Sequence, residues 1–238
     1  EGLNALANVL IQDKDDMVLT TRMEHHANDL PFRRVAKMVY VEVDVLGRIN
    51  IDDIEEELIK ANGKIKVVTI TGASNVTGYI TPIHDIARLA HKYGAVIIVD
   101  GAQLIAHREV NLAGNSKDEE IDFLTFSAHK AYAPFGSGAI VGKKDYLNEE
   151  DPFLSGGGCV AGVFDERLIW TAVPEKYEAG TQNFFGAIAM AKAFSDLKNI
   201  GFQNIEMHEK LLKDYIINSM KSIKNVRSEE RRVGKECR

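Results

Sequence analysis

The run Ala95-Val96-Ile97-Ile98-Val99 is apolar at every position and ends on an acid, Asp100. A strand with one face in water alternates apolar and polar residues. An unbroken, β-branched run therefore belongs in the middle of a sheet covered on both sides. Comparable short runs recur along the chain, and they predict strands at Met17–Thr21, Met38–Glu42, Lys66–Thr71, Val96–Asp100, Phe123–Ser127 and Gly138–Val141. Amphipathic stretches lie between and after them, predicting helices at Asp53–Ala61, Ile83–Tyr93, Ala187–Lys198 and Phe202–Met220. Pro82 opens the Ile83 helix and Gly94 follows its end, matching the usual start and stop residues. Strands alternating with helices are the sign of an α/β fold with a mostly parallel sheet and helices on both faces.

Composition narrows what such a fold does. Of 238 residues, 45% are hydrophobic, enough for one large core or one and a half domains. The net charge of −6 comes from interspersed residues of both signs, so no basic stripe marks a nucleic-acid partner. No apolar run reaches the length of a membrane span. The opening Glu1-Gly2-Leu3-Asn4 lacks a signal-peptide pattern, so a cytoplasmic setting is expected. The two cysteines, Cys159 and Cys237, form neither a disulfide framework nor a metal-type pair. From Arg227 onward a charge run breaks the helical periodicity; it resembles the translation of a sequencing adapter, and residues 227–238 are set aside as non-native.

Ligands of open α/β sheets bind outside the carboxyl ends of the strands, so polar residues directly after apolar strands are the first candidates. Four endings qualify: Thr20-Thr21-Arg22-Met23 leading to Glu24-His25-His26, then Thr71-Gly72-Ala73-Ser74-Asn75, Asp100-Gly101-Ala102-Gln103, and Ser127-Ala128-His129-Lys130. Singly each has a plain explanation, because an acid after a strand often caps a helix and a loop lysine is usually solvated. Their joint order says more. A carboxylate after one central strand and a lysine after the next supply the two groups that pyridoxal 5'-phosphate (PLP) chemistry needs, an acid for the pyridine nitrogen and an amine for the aldehyde. A buried carboxylate favours the protonated ring nitrogen, and a lysine leaving a buried strand beside cations is deprotonated more readily than one on a helix surface. Lys60, Lys92 and Lys213 are of the second kind and Lys130 of the first.

The segments Glu24-His25-His26-Ala27-Asn28, Ser74-Asn75-Val76-Thr77-Gly78, Val99-Asp100-Gly101-Ala102-Gln103, Phe126-Ser127-Ala128-His129-Lys130 and Ala179-Gly180-Thr181-Gln182-Asn183 occur in that order. Together they resemble the class V aminotransferase family, and within it the cysteine desulfurase and selenocysteine lyase branch. The resemblance runs from Glu1 to about Val226, with Gln182 and Ala128 standing where many relatives have proline and glycine. It implies PLP-dependent transferase fold type I, the aspartate-aminotransferase-like large domain, over residues 1–200, and the start of a small C-terminal domain over 201–226. It also implies roles: Lys130 as the Schiff-base lysine, His25 stacked on the cofactor ring and moving protons, and Asp100 on the ring nitrogen. Asn75 and Gln103 would bond the ring substituents, Ser127 and His129 the phosphate, and Thr181 the phosphate of a neighbouring subunit in a homodimer.

The implied substrate is a small amino acid. A desulfurase converts cysteine to alanine and an enzyme-bound persulfide, and passes the sulfur to an acceptor protein. Selenocysteine lyase, aminotransferase, kynureninase-like and epimerase-like activities share these cofactor residues, and an inactive piece of such an enzyme is a further alternative. Against the family pattern, the chain begins just after the expected Gly-Thr-Thr phosphate loop, and it lacks the C-terminal carboxylate-binding arginine and sulfur-attacking cysteine. Two other enzyme classes fit less well. A metal hydrolase would need an HExxH or similar set, whereas His84 and His91 read as a helix-surface pair, and no metal is expected. Gly156, Gly158 and Ala161 make a loose GxGxxA match that neither follows a strand nor opens a helix, as a dinucleotide site requires.

Overall fold

The computed structural model describes residues 1–223. Six strands, β1 (Met17–Thr21), β2 (Lys37–Val41), β3 (Ile65–Thr71), β4 (Val96–Asp100), β5 (Phe123–Ser127) and β6 (Gly138–Gly142), form one sheet in the order β2-β1-β3-β4-β5-β6. The first five run parallel, and β6 closes the edge antiparallel to β5. All six predicted strands are present, with ends shifted by a residue at most.

The side-chain alternation of β4 divides the core in two. Ile97 and Val99 join Leu19, Val68 and Ile70 on the face covered by α3 (Ile51–Ala61) and α4 (Ile83–Lys92). Ile98 joins Val18, Val67 and Phe123 on the opposite face, under α1 (Gly2–Leu10) and α2 (Leu30–Arg33), with Leu147 of α5 (Lys144–Glu149) packed beside them. Asn50 caps α3 by accepting from Asp52 N at 3.2 Å, and Asn62 ends it in the left-handed conformation.

α1, α2, α5 and an antiparallel hairpin of β7 (Val160–Phe164) and β8 (Arg167–Trp170) were not anticipated. α6 (Phe184–Ile200) begins three residues before the predicted Ala187, where Asn183 accepts from Gly186 N at 2.9 Å. α7 (Phe202–Met220) follows a break at Gly201, and its Glu209 accepts from Arg108 at 2.8 Å and pairs with His107. Residues 224–226 of the expected second domain and the tail 227–238, with Cys237, lie outside the described residues.

His84 and His91 are half-buried rather than a surface pair. They bond the carbonyls of Glu119 (2.8 Å) and Asp118 (2.9 Å), and His91 Nε2 lies 2.9 Å from the buried Asp122 carboxylate. They tie α4 to the chain entering β5. Among the described residues no cluster of histidine, cysteine, aspartate and glutamate could hold a metal ion, and no helix is long and apolar enough to cross a membrane.

Candidate active site

Thr71, Asp100 and Thr125 are register partners on β3, β4 and β5; β3 and β4 end at this level, and β5 continues to Ser127 before its loop opens on the same side. Asp100 shares the face of Ile98 and is 5% exposed. Gly101 turns the chain immediately after it, with its N–H bonded to Thr125 O at 2.8 Å. A Cβ at Gly101 would lie 2.7 Å from Leu124 Cδ1 and 3.2 Å from Ile105 Cγ2, so a larger residue here would have to push the Leu124 side chain aside. Ala102 N donates to Asp100 Oδ1 at 2.9 Å.

Burial pushes the Asp100 carboxyl up from the usual carboxylate range, and three groups pull it back: the Ala102 N–H, then the Lys130 ammonium, then the His25 imidazole. Lys130 and His25, from two other strand ends, thus both lie within electrostatic reach of Asp100.

Lys130 sits half-buried in a 3-10 turn, Ala128–Ala131, that continues β5. Among the described residues its ammonium makes no hydrogen bond and no ion pair, whereas Lys37, Lys60, Lys92, Lys143 and Lys192 are each paired with a carboxylate. A second inward lysine, Lys176, is more buried, but it donates to Leu147 O and Asn148 O at the carboxyl end of α5 and so caps that helix. Directly after Lys130 the backbone is strained: Tyr132 and Phe135, both exposed, have φ of 68° and 73°. α6 packs on the Lys130 turn, with Phe194 edge-on to Phe126 at 5.4 Å.

His25 caps the short 3-10 turn His26–Asn28, its Nδ1 accepting from Ala27 N at 3.1 Å, and its ring is exposed at the strand ends. The helix-entry role and a free ring face are therefore compatible. Ser127 and Gln103 are half-buried beside the Lys130 and Asp100 turns, while His129 and Asn75 are exposed on the loops after β5 and β3. Thr181 stands apart. It is exposed in the segment before α6, next to Gly180, whose N–H bonds Gly157 O at 2.7 Å, and no described contact joins it to Asp100 or Lys130. Cys159 is buried; its thiol donates to Gly156 O at 2.8 Å and accepts from Gly156 N at 3.2 Å, closing its own loop.

Two groups escaped the sequence reading. Thr125 Oγ1, on the residue beside Asp100, is buried with no hydrogen-bond partner among the described residues. An orphaned hydroxyl next to a buried carboxylate is what a site for a polar ligand leaves on the protein side. The other group is Glu24, the first acid after β1. Burial raises its carboxyl to about 7 against the lowering effect of hydrogen bonds from Thr21, Asn28 and Thr71. Its place after a strand was visible; its burial was not.

Comparison with known proteins adds three findings. The family model for class V aminotransferases matches residues 1–236. A cysteine desulfurase of Haloferax volcanii is 36% identical over 205 residues, 84% of this chain and 46% of the relative, and a probable cysteine desulfurase of Halalkalibacterium halodurans is 35% identical over 218 residues, 89% and 52%. Among solved structures, the apo cysteine desulfurase of Thermococcus onnurineus superposes with a TM-score of 0.82 at 30% identity, covering 92% of this chain and 54% of that one. An Escherichia coli cysteine desulfurase does so at 0.82 and 27%, covering 93% and 56%. The chain spans about half the length of the curated relatives it matches.

Proposed function

Because the chain belongs to the class V aminotransferase family and has fold type I, we propose that its strand ends hold PLP and that the whole protein is a cysteine desulfurase acting through Lys130. The observation that carries this reading is the juxtaposition of Asp100, buried at the end of β4, with Lys130, whose amine has no described partner, one strand away. The residues present fit the group: a carboxylate for a ring nitrogen, an uncommitted amine for an aldehyde, and a buried hydroxyl, Thr125 Oγ1, without a protein partner. That the relatives are cysteine desulfurases supports cysteine as the substrate.

When bound, PLP offers an aldehyde to an amine and a ring that takes up the electron pair released at the α-carbon of an amino acid. Asp100 would accept from the ring N–H, and its negative charge would favour a protonated ring nitrogen. The exposed ring of His25 would lie flat on the heterocycle, and Asn75 and Gln103 would bond the ring substituents. Ser127 and His129 would hold the phosphate beside Lys130, and Thr181 would reach the phosphate of the second subunit of a homodimer. That assignment accounts for the position of Thr181 away from the cluster. Lys130 Nζ would hold the cofactor through its aldehyde and would serve as a base toward the substrate, with His25 as the second proton carrier.

Cys159 takes no part in sulfur transfer in this reading, since its thiol is enclosed by its own loop. Residues 201–226 are assigned to the start of a second domain. A sulfur-acceptor protein is the expected partner of the whole enzyme.

The test is chemical. In the full-length, PLP-loaded protein, borohydride reduction followed by peptide mapping should place the adduct on Lys130, and Lys130→Ala should abolish it and lower turnover by about a hundredfold or more. An adduct on another lysine, such as Lys176, would reject the assignment.

A further inference from the structure

Both oxygens of the Glu24 carboxyl are engaged. Thr21 Oγ1 donates to Oε1 at 2.6 Å and Asn28 Nδ2 donates to Oε2 at 2.7 Å. Asn28 is fully buried, and its Oδ1 accepts from Thr69 Oγ1 at 2.6 Å, so the chain of bonds runs from Glu24 through Asn28 into the middle of β3. Thr20 Oγ1, also buried, bonds Thr69 O at 2.9 Å and fastens β1 to the same point. Glu24 and Asn28 bracket the turn that carries His25, and Asn28 N donates to His25 O at 2.8 Å. Fixing both ends of a four-residue turn fixes where its imidazole lies.

The second observation concerns charge. Glu24 is half-buried, its carboxyl turned inward, and the buried Asp100 adds to the upward push on it. A carboxyl surrounded by neutral dipoles keeps its proton more readily than one that faces cations. Asp100 has Lys130 from the turn after β5, His25 from the turn after β1, and the Ala102 N–H. Glu24 is met only by neutral dipoles, Thr21 of β1, Asn28 of its own turn and Thr71 of β3, and by one charge of its own sign, Asp100 of β4.

We propose that Glu24 is a positioning residue that clamps the His25 turn onto the sheet through Thr21 and Asn28, and that it does so as the neutral acid. In its neutral form Oε2 still accepts from Asn28, while the Oε1 hydroxyl turns the Thr21 bond round and donates to it. A glutamine reproduces this pattern, with its oxygen toward Asn28 and its amide N–H toward Thr21. A leucine reproduces neither bond. The functional part of the inference rests on the PLP reading, since His25 and Asp100 matter as partners of the ring; the protonation of Glu24 does not.

The experiment compares wild type, Glu24→Gln and Glu24→Leu in the full-length, PLP-loaded protein. Infrared spectra of the wild type should show the carbonyl stretch of a buried protonated carboxyl that titrates away with a midpoint near 7, and E24Q should lack it. E24L should keep the cofactor on Lys130 but lower kcat by about tenfold, and E24Q should restore kcat to within about twofold. A wild-type spectrum with no such band, E24Q as impaired as E24L, or E24L as active as the wild type would each overturn the proposal. Should E24L fail to fold, the infrared comparison of wild type with E24Q still decides. A wild type without bound PLP would end the cofactor reading, yet the band would still report on Glu24.

Discussion

Glu24→Gln should change how stability depends on pH, by an amount that follows from the site. Burial moves the Glu24 carboxyl from its ordinary 4.5 to about 7 in the folded chain. A group raised on folding adds stability that is fully present below its unfolded value and is lost as pH rises through its folded value. For Glu24 the loss begins near pH 4.5 and is complete above about 7. At about 1.4 kcal/mol per unit, it amounts to roughly 3 kcal/mol. Most of it, roughly 2 to 3 kcal/mol, falls between about pH 5 and about pH 8. Glutamine matches the protonated acid in shape and bonding, so any fixed cost of the substitution cancels when the two proteins are compared across that range. Urea denaturation at a fixed cofactor concentration, needed because a bound ligand itself shifts apparent stability, should show the wild type falling behind E24Q by that amount between the two pH values. Parallel stability curves would refute a neutral Glu24. A difference of opposite sign would mean that the fold stabilises its charge.

Two further substitutions separate the other groups. Asp100→Asn removes the charge offered to a ring nitrogen while keeping the Ala102 bond; PLP retention measured by dialysis should weaken by about tenfold or more, and unchanged retention with unchanged turnover would reject its role. Cys159→Ala should leave turnover unaltered and lower stability by about 1 to 2 kcal/mol, the cost of a buried sulfhydryl and its bonds to Gly156; lost turnover in a folded variant would give Cys159 a part in the chemistry.

What the sequence discloses about this fold follows from how burial is written along a strand. The central strands were legible because Ala95–Val99 carries no polar position and the strands beside it are mostly apolar and buried. The β7–β8 hairpin was not, because Val163, Phe164, Leu168 and Ile169 are exposed and the pair joins neither face of the main sheet. α1 escaped because its nine residues have no acidic first turn and no side-chain cap. In the site, Asp100 and Lys130 were found through their positions after strands, a local property. The burial of Glu24 and the orphaned hydroxyl of Thr125 depend on which strands become neighbours, which no local pattern states.

Strand order also explains why two acids after two strands acquire opposite roles. In the sheet β2-β1-β3-β4-β5-β6 the chain visits β1 before β3, so Glu24 and Lys130 lie on opposite sides of Asp100. At about 5 Å between neighbouring strands, the end of β5 is one spacing from the end of β4 and three, roughly 14 Å, from that of β1. The lysine therefore favours ionisation of Asp100 much more than of Glu24. His25 could have offset this, but its ring is exposed and its Nδ1 accepts from Ala27 N, whereas the Glu24 carboxyl turns inward to Asn28. A parallel sheet of another strand order, with β1 beside β5, would put the cation next to Glu24 and set the two acids in competition. The polarity of the site, an acid beside a lysine where a ring nitrogen would sit and an acid met by neutral dipoles fastening the histidine turn, is thus a consequence of topology as much as of residue type.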